Sequence, residues 1–140
     1  MTVEIPAGLE EITPLVKRPT ALQLFLFSAA TWNPHRIHYE ASYAAEEGYP
    51  DAIVQAHLHA SFVAEAVVRT IGPRGRLLRL GWQNRGIAVP GDTLTCEGRA
   101  TAATETEDGL VVEYALEERN QRGELCVSAW ATALIPRGEA

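Results

Sequence analysis

Four histidines, His35, His38, His57 and His59, fall within one stretch of 25 residues, and the rest of the 140-residue chain has none. Imidazole is the side chain that gains and loses a proton near neutral pH, so such a group can serve as general acid, general base or metal ligand. A metal site is the first chemistry to weigh. His35-x-x-His38 and His57-x-His59 offer nitrogens, but there is no HExxH helix and no cysteine or paired carboxylate beside them. No metal and no cofactor is expected. A serine nucleophile is the second. Ser28, Ser42 and Ser61 lack the GxSxG elbow. No glycine-rich phosphate loop is present. The histidine cluster stands as a hypothesis of proton transfer.

The elements that must place these histidines are legible from punctuation and period. Thr20 can cap a helix, with Gln23 completing a capping box, and the helix runs through Leu22, Phe25 and Leu26 to about Ala30. It stops at the loop Trp32-Asn33-Pro34-His35, because the residue before a proline avoids helical ψ. A short helix is expected over Glu40–Glu47, closed by Gly48. A longer one is expected over Gln55–Thr70. Its wide apolar face of Leu58, Phe62, Val63, Ala66, Val67 and Ile71 carries only Glu65 and Arg69 as charges, four apart as an ion pair. Such a helix needs protein on most sides. His35 and His38 thus fall in a loop, and His57 and His59 at the head of the central helix.

After Gly75 the period changes to alternation. Residues 77–85, 93–104, 110–119 and 124–135 are strand-like, and Leu110, Val112, Tyr114 and Leu116 alternate with Glu113, Ala115 and Glu117. The turns Glu107-Asp108-Gly109 and Asn120–Gly123 join the last three strands as antiparallel hairpins. Helices followed by an antiparallel meander make an α+β layout, with a curved sheet wrapping the apolar helix: a hot-dog fold. One such domain is expected over 1–140, with 1–12 as an irregular N-terminal arm. Cys96 and Cys126 fall two strands apart, roughly 9–10 Å, too far for a disulfide.

Composition narrows the setting. The net charge is −6, which disfavours nucleic acid as a partner. No run approaches the ~20 apolar residues of a membrane span, and the acidic MTVEIPAGLEEI is no signal peptide. Two lone cysteines fit a reducing cytoplasm.

The stretch Phe27-Ser28-Ala29-Ala30-Thr31-Trp32-Asn33-Pro34-His35-Arg36-Ile37-His38-Tyr39-Glu40 resembles the MaoC-like (R)-specific enoyl-thioester hydratases and dehydratases. Within them it is most similar to the mesaconyl-CoA hydratase-like branch with an Asn-x-His-Arg-Ile-His-Tyr string. The likeness continues through Tyr49–Gln55, Asn84-Arg85-Gly86 and Pro90–Leu94. It implies hydration or dehydration of an enoyl- or 3-hydroxyacyl-thioester, carried on coenzyme A or a carrier protein. In better-known members an Asp and a His five residues apart hold the catalytic water. Here His38 matches that histidine and Asn33 stands at the acid's place. The family's Val-His-Gly or Val-Gln-Gly, whose glycine N–H faces the thioester carbonyl, appears as Val54-Gln55-Ala56, followed by His57 where relatives often have proline. Gln55, Ala56 and His57 are thus the expected thioester-binding residues, with His35 and Arg36 in support.

Arg74, Arg76, Arg79 and Arg85 follow the central helix, and guanidinium suits the phosphates of coenzyme A. The resemblance further implies a homodimer, or a heteromer with a second hot-dog chain. Two alternatives stand beside the hydratase, the first of them because Asn33 and Ala56 depart from the pattern. One is a weakened subunit completing a heteromeric hydratase; the other is a hot-dog thioesterase.

Overall fold

The computed structural model describes residues 1–137. Strand β1 (Glu11–Lys17) leads into helix α1 (Ala21–Thr31), a single 3-10 turn (Arg36–His38), α2 (Ala41–Glu46) and the long helix α3 (Ala56–Ile71). Strands β2 (Arg76–Asn84), β3 (Leu94–Glu105), β4 (Gly109–Arg119) and β5 (Leu125–Pro136) follow. The cap at Thr20 is present, its hydroxyl accepting the Gln23 N–H at 3.1 Å. Each expected helix and strand lies within a residue or two of its place.

The strands form one antiparallel sheet in the order β1-β3-β4-β5-β2, curved around α3. This is the hot-dog arrangement. Its logic is steric as well as hydrophobic. Beyond Val127, three successive inward positions of β5 are Ala129, Ala131 and Ala133, all buried, so the helix can approach closely. The helix fills that space with Leu58, Phe62, Val63, Val67 and Ile71. Burying each large side chain contributes about 1.5–3 kcal/mol.

Two features differ from the sequence reading. The first is β1, which takes up the end of the expected arm and continues beyond it. Its buried residues, Ile12 and Leu15, are three apart because the ladder on β3 shifts between them, at Pro14. Proline has no N–H for a ladder and sits at an edge strand or bulge, so the alternation that marks a strand is broken. Thr2 also bridges to Thr104. The second is the position of β2. It does not continue a meander into β3 but pairs with β5 at the far edge. Residues 85–93 therefore cross the end of the sheet, past the head of α3, where the Val54 N–H donates to the Ala88 carbonyl at 2.9 Å.

Cys96 and Cys126 are buried free thiols on β3 and β5, with β4 between them. The ion pair Glu65–Arg69 forms at 2.7 Å, and Glu65 also takes Lys17 of β1 at 2.5 Å. No described helix is long and apolar enough to cross a membrane.

Candidate active site

The loop after α1 is closed by local bonds. Trp32 ends the helix in the left-handed region, and the Asn33 N–H returns to the Ser28 carbonyl at 2.9 Å. The Tyr39 hydroxyl donates to the Pro34 carbonyl at 2.7 Å, bringing the two ends of the loop together. Arg36 grips Glu40 through Nε and Nη2 at 2.9 and 2.6 Å and lies over the Tyr43 ring at 4.4 Å. Arg36 therefore braces the loop against α2. His35 caps the 3-10 turn, its Nδ1 accepting the Ile37 N–H at 3.3 Å.

His38 is the histidine of this loop that turns inward, 8% exposed. Its Nδ1 lies 2.7 Å from the Ile53 carbonyl oxygen. A carbonyl only accepts, so Nδ1 carries the proton and the neutral ring presents its lone pair at Nε2. Burial pushes the His38 pKa below the ordinary imidazole value; the Ile53 carbonyl opposes this, and His35, its ring 6.1 Å away, adds to it. A neutral imidazole with a fixed tautomer and one free nitrogen is a competent proton acceptor at neutral pH. Asn33 is half-buried at the other end of the loop, and none of the described hydrogen bonds joins it to His38.

The anchor of His38 belongs to the lead into α3. Ile53 stands three residues before Ala56, the first helical residue, and its own N–H donates to the Ile37 carbonyl at 2.9 Å. The loop and the head of α3 are therefore laced together. A helix leaves its first N–H groups without partners inside the helix, and they carry the positive end of its dipole. Those of Ala56 and His57 are at exposed positions. The His57 ring packs edge-on against Trp82 of β2, centroids 5.3 Å apart. Such a head can receive negative charge growing on an oxygen.

Gln55 is placed differently from expectation. It is fully buried, and its Nε2 donates to the Leu24 carbonyl at 2.7 Å and to Ser28 Oγ at 2.9 Å. Its amide faces α1, where it ties the two helices together. The arginines also part. Arg74 and Arg76 lie with Arg137 at the C-terminal end of α3. That helix is about 24 Å long, so within one chain these two are remote from His38. Arg85 is at the other end of β2, its N–H on the Cys126 carbonyl at 2.8 Å, and shares the site's end of the sheet.

Sequence reasoning passed over Glu118. It faces the core on β4 and its Oε1 lies 2.5 Å from His59 Nδ1. The signal was available: carrying the alternation of Val112, Tyr114 and Leu116 one step further puts Glu118 on the inward face.

A model of the hydroxyacyl-thioester dehydratase type 2 family matches residues 8–88, more than half of the chain and all of the loop and helix described above. The chain belongs to that family. Among curated proteins this family member is similar to the mesaconyl-C(4)-CoA hydratase of Chloroflexus aurantiacus, 47% identical over 64 residues. Those residues are 45% of this chain and 22% of that protein, so the chain spans about a fifth of its relative. Among solved structures it resembles the (R)-hydratase from A. caviae involved in PHA biosynthesis. That match has a TM-score of 0.81 at 23% identity, over 91% of this chain and 95% of the other. It also resembles a chain of the ChsH1-ChsH2 complex from Mycobacterium tuberculosis, with a TM-score of 0.77 at 20% identity over 91% and 95% of the two chains. At these identities the solved structures share the fold of this hydroxyacyl-thioester dehydratase family member.

Proposed function

We propose that this chain hydrates an enoyl-thioester, and in reverse dehydrates the 3-hydroxyacyl-thioester, with His38 as the general base. The observation that carries this is the Nδ1 bond of His38 to the Ile53 carbonyl, which leaves Nε2 free and ties the base to the head of α3. In the hydration direction Nε2 takes a proton from water. The hydroxyl adds to the β-carbon, and the electron pair of the double bond moves toward the thioester oxygen. The N–H groups of Ala56 and His57 receive that charge. The imidazolium then gives its proton to the α-carbon, so one group serves as base and then as acid. Asn33 orients the water; its amide cannot take the proton. Arg36 and His35 hold the loop. Gln55 holds α1 on α3.

The substrate is an acyl-thioester of coenzyme A or of a carrier protein, and Arg85, at the site's end of the sheet, is the arginine placed to meet a phosphate. The partner is a second hot-dog chain, the same or different. Edge strands β1 and β2 each pair on one side only, and open edges call for cover. The ChsH1-ChsH2 structure is itself a complex. Reducing surroundings, as in the cytoplasm, keep Cys96 and Cys126 as thiols.

The test is a panel of enoyl-CoA substrates, crotonyl-CoA first and mesaconyl-CoA included, followed by loss of the conjugated enoyl absorbance. Hydration by the purified chain, alone or with a co-expressed hot-dog partner, is expected. Thiol release without hydration would show a thioesterase instead, and no reaction in either preparation would overturn the proposal.

A further inference from the structure

A carboxylate sits on the core face of the sheet's central strand, one residue before the end of β4. Glu118 pairs across to Cys96 of β3 and to Val127 of β5, and its side chain is 0% exposed. The inward residues before it on the same strand, Val112, Tyr114 and Leu116, are the packing groups expected there. An ionisable group in that place is costly to desolvate unless it is well partnered. A leucine would pack without that cost.

The partner is His59, itself 1% exposed, whose Nδ1 lies 2.5 Å from Glu118 Oε1. The second oxygen meets the Cys96 thiol at 3.8 Å. Burial first, and the Glu118 charge next, push that thiol's pKa up, so it stays an S–H donor. The groups around the carboxylate are thus a ring nitrogen and a weak thiol donor, and the bond to His59 is the strong contact.

His59 closes the first turn of α3. Its N–H, like that of Leu58, donates to the Gln55 carbonyl, at 3.1 and 3.0 Å. The short segment 53–59 therefore carries three side-chain links. Ile53 holds His38, Gln55 binds α1 through Leu24 and Ser28, and His59 binds β4, with the exposed residues Ala56 and His57 between them. Among the described side-chain hydrogen bonds, the Gln55 tether joins this turn to another helix. The His59–Glu118 bond joins it to the central strand of the sheet, beside the edge-on packing of His57 on Trp82 of β2.

We propose that His59 and Glu118 are a positioning pair for the reaction: they hold the first turn of α3, and with it the Ala56 and His57 N–H groups, at a set distance from the sheet and from His38. The inference rests on the reading of those N–H groups as donors to the thioester oxygen. Neither residue touches substrate. A displacement of about 1 Å at such donors is enough to cost up to about a hundredfold in rate.

The test compares three variants for hydration of the best enoyl-CoA in the panel. Glu118→Gln keeps the size and an acceptor for Nδ1–H, and kcat is expected within about threefold of the unaltered protein. Glu118→Leu removes the acceptor, and kcat is expected to fall about tenfold or more with KM changed less than about threefold. The double variant His59→Leu/Glu118→Leu replaces the pair by apolar groups and leaves no orphaned partner. It serves if the single leucine variant fails to fold, and the same loss of kcat is expected from it. A group that only supported the core would move melting temperature and leave kcat per folded molecule unchanged.

Amide hydrogen exchange supplies a readout independent of turnover. Protection of the amides at positions 58 and 59 should drop about tenfold in the leucine variants, while that of Phe62 to Val67 stays as it was. If the unaltered protein hydrates no thioester, the functional reading fails and the exchange data still decide whether the pair holds the turn. Leucine variants with kcat within threefold, or with the amides at positions 58 and 59 protected as before, overturn the pair's positioning role.

Discussion

Replacing His38 by alanine removes the group on which the proposed chemistry turns, and the structure bounds both consequences. General base catalysis contributes about 10²–10⁴ in rate, equivalent to about 3–5 kcal/mol of barrier. Nothing else in the loop can take over in place: His35 is exposed, and its Nδ1 is occupied by the Ile37 N–H. His38→Ala should therefore lower kcat by about 10²–10⁴. The cost in stability is smaller. The variant loses one hydrogen bond, to the Ile53 carbonyl at 2.7 Å, and the packing of a buried ring. That is about 1–3 kcal/mol, within the 5–15 kcal/mol that ordinary domains hold. The pH profile gives a second signature. The His38 pKa in the folded state lies below its reference value of 6.5, chiefly through burial. Activity that needs the neutral ring should hold at neutral pH and fall only in acid, with a midpoint below 6.5. Stability has the same sign. Between the lower folded value and 6.5 the unfolded chain holds more protons than the folded one. The contribution is therefore complete above 6.5 and is lost as pH falls through the folded value. His38→Ala should remove that slope from urea melts between pH 4 and 8. The assay is enoyl-CoA hydration from pH 5 to 9 with both proteins. A variant that keeps more than about a tenth of the turnover, or keeps the acid limb, refutes His38 as the base.

Asn33→Asp should keep the fold and raise hydration, since a carboxylate can accept a proton and stabilise imidazolium where an amide cannot; an aspartate variant inactive across pH 6–9, beside an active unaltered protein, would show that the amide is required. Gln55→Ala removes two buried bonds to α1 and should lower stability by about 1–3 kcal/mol in urea melts; a loss under about 0.5 kcal/mol would deny the tether. Arg85→Ala should raise KM for a CoA thioester about threefold or more, whereas Arg74→Ala and Arg76→Ala, at the far end of α3, should leave it unchanged; the opposite ranking would place the phosphates at the other end of the sheet.

Much of this protein is written locally. The cap at Thr20, the proline after Asn33, the glycine after α2 and the apolar face of α3 each act through neighbours a few residues away, so the helices could be bounded from the sequence. The same holds for β3, β4 and β5, whose hairpin turns set their pairing. The loop from Asn33 to His38 was legible because its residue string is distinctive over a short span. What the string did not say is how His38 is held. That depends on Ile53, 15 residues away.

The remainder was decided by contacts between distant segments. β1 joins the sheet because β3 offers it an edge, while Pro14 breaks the pattern that would have announced it. β2 lies beside β5 and not β3, since pairing partners are chosen by packing around α3 and not by chain order. Gln55 turned toward α1 because Leu24 and Ser28 present acceptors there. The arginines, nearly contiguous in sequence, were divided between the two ends of the sheet by the length of β2. Glu118 and His59 show the difference most plainly. Alternation alone turns Glu118 inward, but 59 positions separate it from its partner. Only the wrapping of the sheet around the helix makes a buried carboxylate into a link to the head of α3.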